Sequence, residues 1–197
     1  MNDLLLDPLP TVWAGKAIDP DFRHMIRLSN AYARKEPDKD PLAFAQEMCR
    51  RFYREPVSQP VLPDAYRALV EFYLASEPRR SGDGSSGGGT AVAFDYQCDA
   101  PYIIAAFQQT YSIDLTSAKI HWWRFRALLS GLLSEECLFA RIVRWRTADL
   151  TELGDAERQH YEQMRERFAL PEDLRGGAGH ATTKEELYAE FFARHRH

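Results

Sequence analysis

Asp-Pro pairs at Asp19-Pro20 and Asp40-Pro41, and Asp99 two residues before Pro101, punctuate this chain more sharply than any other feature. A short acidic side chain accepts hydrogen bonds from the unpaired amides at a helix start, and proline fits the first turn, where its missing N–H costs nothing. Behind each start the apolar residues recur at helical spacing. Phe22, Met25, Ile26, Ser29 and Ala33 predict a helix over 20–35, and Ala45, Met48 and Phe52 one from 41 to about 55. After Pro56, Pro60 and Pro63, a third helix over about 64–76 carries Leu62, Tyr66, Leu69, Val70 and Tyr73. Ile103, Ile104, Phe107 and Tyr111 form the stripe of the helix that Asp99 opens. Ser117 is placed to cap a helix over 118–133, with Ala118, Trp122, Phe125, Leu129, Leu132 and Leu133 on one side. Ser134, Glu135 and Glu136 suit the start of another, whose buried stripe is Leu138, Ile142 and Trp145. Only TVWAGKAI near the N-terminus departs from this, with Gly15-Lys16 suiting the reversal of a short β-hairpin. The expected fold is mainly α, five to seven helices with a small N-terminal hairpin.

Four parts follow from composition along the chain. Residues 1–80 form an N-terminal helical part, and SGDGSSGGG at 81–89 reads as a flexible linker. Residues 90–150 are the denser core. Residues 151–197 are peripheral charged helices, with Tyr161, Met164 and Phe168 as one thin apolar line. In the last of them Thr183 and Glu186 make a capping box before Leu187, Phe191 and Phe192. Gly82, Gly84 and Gly87 formally match G-x-G-x-x-G, but that motif needs a strand before it and a helix after it, and the order here is the reverse.

Overall balance narrows function by exclusion. With 25 Lys plus Arg against 29 Asp plus Glu, the net charge of −4 argues against a chain whose main work is coating nucleic acid. No apolar run approaches a membrane span, and MNDLLLDPLP lacks the basic start of a signal peptide, so a cytoplasmic protein without membrane contact is expected. Cys49, Cys98 and Cys137 are too widely spaced for a metal knuckle and read as reduced, packed thiols. The histidines have no metal-ligand spacing, so neither metal nor cofactor is expected.

The ordered pieces from residue 94 onward resemble a bacteriophage family. They are Phe94-Asp95 with Asp99, Ala105-Ala106-Phe107 through Tyr111, Ile113-Asp114-Leu115, His121-Trp122-Trp123 with Phe125, Leu128-Leu129, and Gly131-Leu132. Asp21-Phe22-Arg23 and Arg141-Ile142 with Arg146 match in the same order. The family is that labelled by gene product fifteen, from the tail module of long-tailed phages and prophages of Gram-positive bacteria, and the likeness spans about 10–150. One departure is Ser112, where the family pattern has glycine; a left-handed serine costs about 1 kcal/mol there. The resemblance implies a tail assembly chaperone in the host cytoplasm, binding tape-measure or tail-tube protein, with self-association a natural accompaniment. It implies no catalytic residues.

Several residues have two readings. Asp114 and His121 would suit an acid–base pair, but no activated nucleophile accompanies them, so both are expected to be structural. Asp21, Phe22 and Arg23 read as a helix cap, a core ring and an ion pair, and Trp122 as core. Trp123 falls off the apolar side and is the candidate protein-contact anchor, with Arg124, Arg126, Arg141 and Arg144 as contact cations. The alternative is a nucleic-acid-binding accessory protein that stacks bases on the basic-aromatic 119–146 region.

Overall fold

The computed structural model describes residues 7–75, 93–151 and 153–175; the glycine-rich 81–89 segment and the capping-box helix expected after Thr183 lie outside them. The described residues fall into two units. One comprises 7–75 with 119–127, the other 93–118 with 128–175. Eight α-helices are present among them, one beyond the expected range because a single turn forms at the end of the second unit.

In the first unit, β1 (Val12–Trp13) pairs antiparallel with β2 (Lys16–Ala17), Val12 opposite Ala17 and Trp13 opposite Lys16. Ala14 and Gly15, both at positive φ, make the reversal one residue earlier than expected. Two consecutive left-handed residues match the right-handed twist of a tight hairpin.

Helix α1 (Phe22–Ala33) starts at Asp21, not at Asp19-Pro20. The Asp21 carboxylate accepts from the Arg23 amide at 2.9 Å, while the Pro20 carbonyl accepts from the Trp122 amide at 2.8 Å and is drawn out of the helix. Helix α2 (Pro41–Phe52) begins as expected, with Asp40 accepting from the Ala43 amide. It ends three residues short of the expected boundary because Tyr53 is extended and bridges Ile18. Helix α3 (Leu62–Leu74) follows a short 3-10 turn at Gln59–Val61. Ile18, Met25, Leu28, Phe52, Leu69 and Phe72 are fully buried and form the core of this unit. Phe22 stacks on Phe125 at 4.5 Å between ring centroids.

Helix α4 (Ala100–Tyr111) opens the second unit. Its buried residues are Ile103, Ala106 and Phe107, whereas Ile104 is exposed, since it sits about 100° around the helix from Ile103. Ser112 ends the helix at φ 55°, in the left-handed conformation that the Gly-to-Ser departure put in question.

Helix α5 (Trp122–Leu132) begins four residues later than expected, because residues 120–122 pair with 20–22 and Ser117 gives its hydroxyl to Asp114. Helix α6 (Leu138–Thr147) is capped by Cys137, whose sulfur accepts from the Ala140 amide, and not by Ser134 and the acidic pair. Leu138 is consequently exposed and Phe139 takes the buried place expected for it. Helices α7 (Asp155–Arg167) and α8 (Glu172–Arg175) complete the unit, with Leu170 and Leu174 buried. The segment 155–175 is thus integral to the second unit, and 119–127 to the first, a division that cuts across the expected boundaries at 90 and 150.

Candidate functional site

Helix α3 ends with carbonyls that have no partner within the helix, as every α-helix does. In the first unit two of them are met by indoles. Trp123 Nε1 donates to the Phe72 carbonyl at 2.9 Å, and Trp122 Nε1 to the Tyr73 carbonyl at 3.0 Å. A third indole, Trp13, donates to the Ala68 carbonyl one turn earlier. The rings also stack: Trp123 on Phe72 at 5.3 Å, Trp122 on Tyr73 at 5.2 Å, and Trp13 edge-on to both Phe72 and Trp123. The Trp-Trp dipeptide therefore closes the end of α3, each ring supplying a donor at its tip and apolar area along its body.

This overturns the reading of Trp123 as an exposed contact anchor. It is 4% exposed, and Trp122 and Phe125 are wholly buried. A base-stacking surface needs accessible rings on a basic groove, and these three are not accessible.

His121 holds the approach to this cap. Its Nδ1 accepts from the Trp123 amide at 3.1 Å, so its proton lies on Nε2, 3.1 Å from the Pro10 carbonyl. Burial pushes its pKa below the ordinary histidine value, only partly opposed by the Pro10 carbonyl, and the ring is neutral at pH 7. Asp114 accepts from the Thr116 hydroxyl and amide and from the Ser117 hydroxyl, which together hold its carboxyl below the usual range. Its carboxylate braces the turn that contains it. Asp21 is likewise committed, capping α1 and pairing with Arg23 at 3.0 Å, beside the buried Phe22 ring.

Of the basic candidates, Arg124, Arg141 and Arg144 are exposed. Arg126 is half-buried over the Trp122 ring, and Arg141 lies over Trp145 at 5.0 Å. Arg124 and Arg126 belong to the first unit, Arg141 and Arg144 to the second.

In the second unit the sequence reading missed the central feature. Arg146 is buried and forms a two-pronged ion pair with Asp99, Nη1 to Oδ2 at 2.6 Å and Nη2 to Oδ1 at 2.9 Å. Asp99 also accepts from the Asp95 amide, and Arg146 donates to the carbonyls of Phe168 and Ala93. From the other side, Arg165 on α7 donates to the carbonyls of Trp145 and Ala148. Each of α6 and α7 thus closes the C-terminal end of the other with a guanidinium, the charge that the negative end of a helix favours. Beside this arrangement is a cavity of about 500 Å3 lined by Arg146, Arg165, Arg175, Glu162, Glu166, Ala169 and Leu170. The signal was present in the sequence only as Asp99 and Arg146 standing separately among the family-like pieces.

Burial pushes the Cys49 thiol up to about 12, which makes it inert at neutral pH. Among the described residues no group of three or more His, Cys, Asp or Glu side chains is placed to hold a metal ion.

A sequence model of the family described as Bacteriophage Gp15 protein matches residues 56–170. The chain belongs to the Gp15 family. No curated protein and no solved structure matches it. The Gp15 match covers α3 through α7, so both the Trp-capped helix end and the Asp99–Arg146 pair lie within it. Its bounds differ from the expected 10–150 at both ends: it begins at 56, so Asp21-Phe22-Arg23 lies outside the match, and it reaches twenty residues past 150, which places α7 in the Gp15 region. Among the described residues of this Gp15-family chain, no helix is long and apolar enough to cross a membrane.

Proposed function

We propose that this Gp15-family chain serves tail morphogenesis in the host cytoplasm as a non-catalytic assembly chaperone that binds tape-measure or tail-tube protein. Membership of a phage family over residues 56–170 carries the reading. The step from phage protein to tail chaperone rests on the likeness of the ordered pieces to the tail-module family. A binding role is supported by where the conspicuous groups are used: His121 and Asp114 on neighbouring backbone and hydroxyls, Trp122 and Trp123 on a helix end. Within the second unit, Arg141 and Arg144 are exposed on α6 and available to set the register of a docked helix.

Co-expression with the tape-measure protein, followed by purification at low and moderate salt, tests this. A soluble complex that survives the higher salt is the expected result. A tape measure that aggregates equally with and without this chain overturns it.

A further inference from the structure

Glutamates on α2 and α7 have arginines at the same helical spacings and are used differently. On α2, Glu47 pairs with Arg50 at 2.8 Å and with Arg51 at 2.6 Å, three and four residues on. On α7, Glu162 has Arg158 four residues before it and Arg165 three after, the spacings at which opposite charges meet on a helix. Both arginines are instead spent on backbone. Arg158 donates to the Leu153 carbonyl, and Arg165 to the carbonyls of Trp145 and Ala148 at the end of α6. Glu166, one turn after Glu162, adds a second negative charge on the same side, an unfavourable repetition. Among the described residues neither carboxylate has an ion-pair partner.

Both glutamates line the cavity of about 500 Å3 in the second unit, a size within the range of ligand pockets. Its cations are held in place: Nε of Arg146, Arg165 and Arg175 donates to the carbonyls of Phe168, Trp145 and Leu170 respectively. Asp99 neutralises Arg146. Nη1 of Arg165 and both Nη atoms of Arg175 have no partner among the described residues. The cavity therefore presents unanswered charge of both signs, beside the apolar side chains of Ala169 and Leu170.

We infer that this cavity seats two oppositely charged side chains of the partner polypeptide, an acidic one on Arg165 and Arg175 and a basic one on Glu162 and Glu166. A purely acidic segment would be repelled by the glutamates, and a purely basic one by the arginines. Only a segment carrying both signs satisfies the whole lining. Arg175, pinned at Nε, offers its two Nη atoms as a planar fork that suits a carboxylate. The aliphatic stems of the seated side chains lie against Ala169 and Leu170. The inference rests on the chaperone reading and specifies what the partner must offer at this point of contact.

The test is a displacement measurement. The tape-measure complex, purified with dye-labelled parent chain, is challenged with unlabelled full-length variants, and the concentration that displaces half the label is read. Glu162→Lys and Arg175→Glu are each expected to need about tenfold more than unlabelled parent, because each sets a like charge against one member of the seated pair. Both positions are exposed, so melting temperatures should match the parent. Arg175 also holds the Leu170 carbonyl, so Arg175→Gln, which keeps a donor and loses the charge, is measured beside it and should also displace less well. A Glu162→Lys chain that displaces better than the parent overturns the inference in favour of an acidic segment. An Arg175→Glu chain that does so overturns it in favour of a basic one, and unchanged displacement by both overturns it outright while leaving the chaperone reading intact. Failure of the parent chain to form any complex sinks that reading, and the inference with it.

Discussion

Arg146 and Asp99 are 8% and 1% exposed, and among the described residues each is the ion-pair partner of the other. Removing one leaves the other charged and buried, which costs about 3–5 kcal/mol. Arg146→Ala is therefore expected to lower unfolding free energy by about that amount in a denaturant titration. The pair Asp99→Asn with Arg146→Ala should lose less than the sum of the two single losses, and strict additivity would show that the contact is not the source. His121 makes a different residue-scale prediction. Its folded pKa lies below its unfolded value, so the unfolded chain binds more protons as pH falls through about 6.5. The histidine contribution to stability is full above that value and is lost on acidification toward the folded pKa. The melting temperature should drop between pH 7 and pH 5.5, and His121→Gln should flatten that drop. A variant with the parent's pH slope would remove His121 as the cause.

Among elements, α3 is finished by residues from far along the chain and α4 by a serine in the left-handed conformation. Helix α3 carries no glycine stop, and its last carbonyls are served by indoles. Trp123→Phe keeps the ring stacking but removes the donor, leaving the Phe72 carbonyl unpaired in a buried place, at a cost of about 1–3 kcal/mol. Exposed Arg124→Ala next to it should stay within about 0.5 kcal/mol. Equal effects from the two would sink the capping account. Helix α4 ends on Ser112 at φ 55°, and Ser112→Gly should raise stability by about 0.5–1 kcal/mol, read as a higher denaturant midpoint at unchanged slope. Starts and stops of this kind explain what could be seen in advance. Asp40-Pro41 and Asp21-Phe22-Arg23 were legible because cap, ring and ion pair lie within a few residues of each other. Trp123 was misjudged because periodicity ranks a residue by its angle on its own helix. Its partner carbonyl is 51 residues away, and the 47-residue gap between Asp99 and Arg146 hid that pair in the same way.

Across the whole molecule, composition suggested that 1–80 would stand by itself, cut off by a glycine-rich run. The first unit is instead discontinuous in sequence: it takes 119–127 from beyond that run. Those nine residues supply Trp122 and Trp123 to the end of α3, Phe125 to the face of Phe22, and His121 to the Pro10 carbonyl. They also supply the backbone partners of Pro20 and Phe22 on either side of Asp21. A fragment ending at residue 80 would expose the Phe72, Tyr73 and Phe22 rings and leave two helix-end carbonyls without their donors. Helical propensity does not replace such packing in helices of 12 or 13 residues. Fragment 1–80 is therefore expected to keep part of its far-ultraviolet helix signal, to lack fixed near-ultraviolet aromatic signal, and to melt without a cooperative step. Adding a peptide of residues 117–129 in excess should restore aromatic signal in a saturable way, and the same peptide with both Trp122 and Trp123 replaced by alanine should not. A sharp, cooperative transition in 1–80 alone would mean that the aromatic cap adorns a unit already stable without it, and the discontinuous core would then be a matter of packing and not of folding.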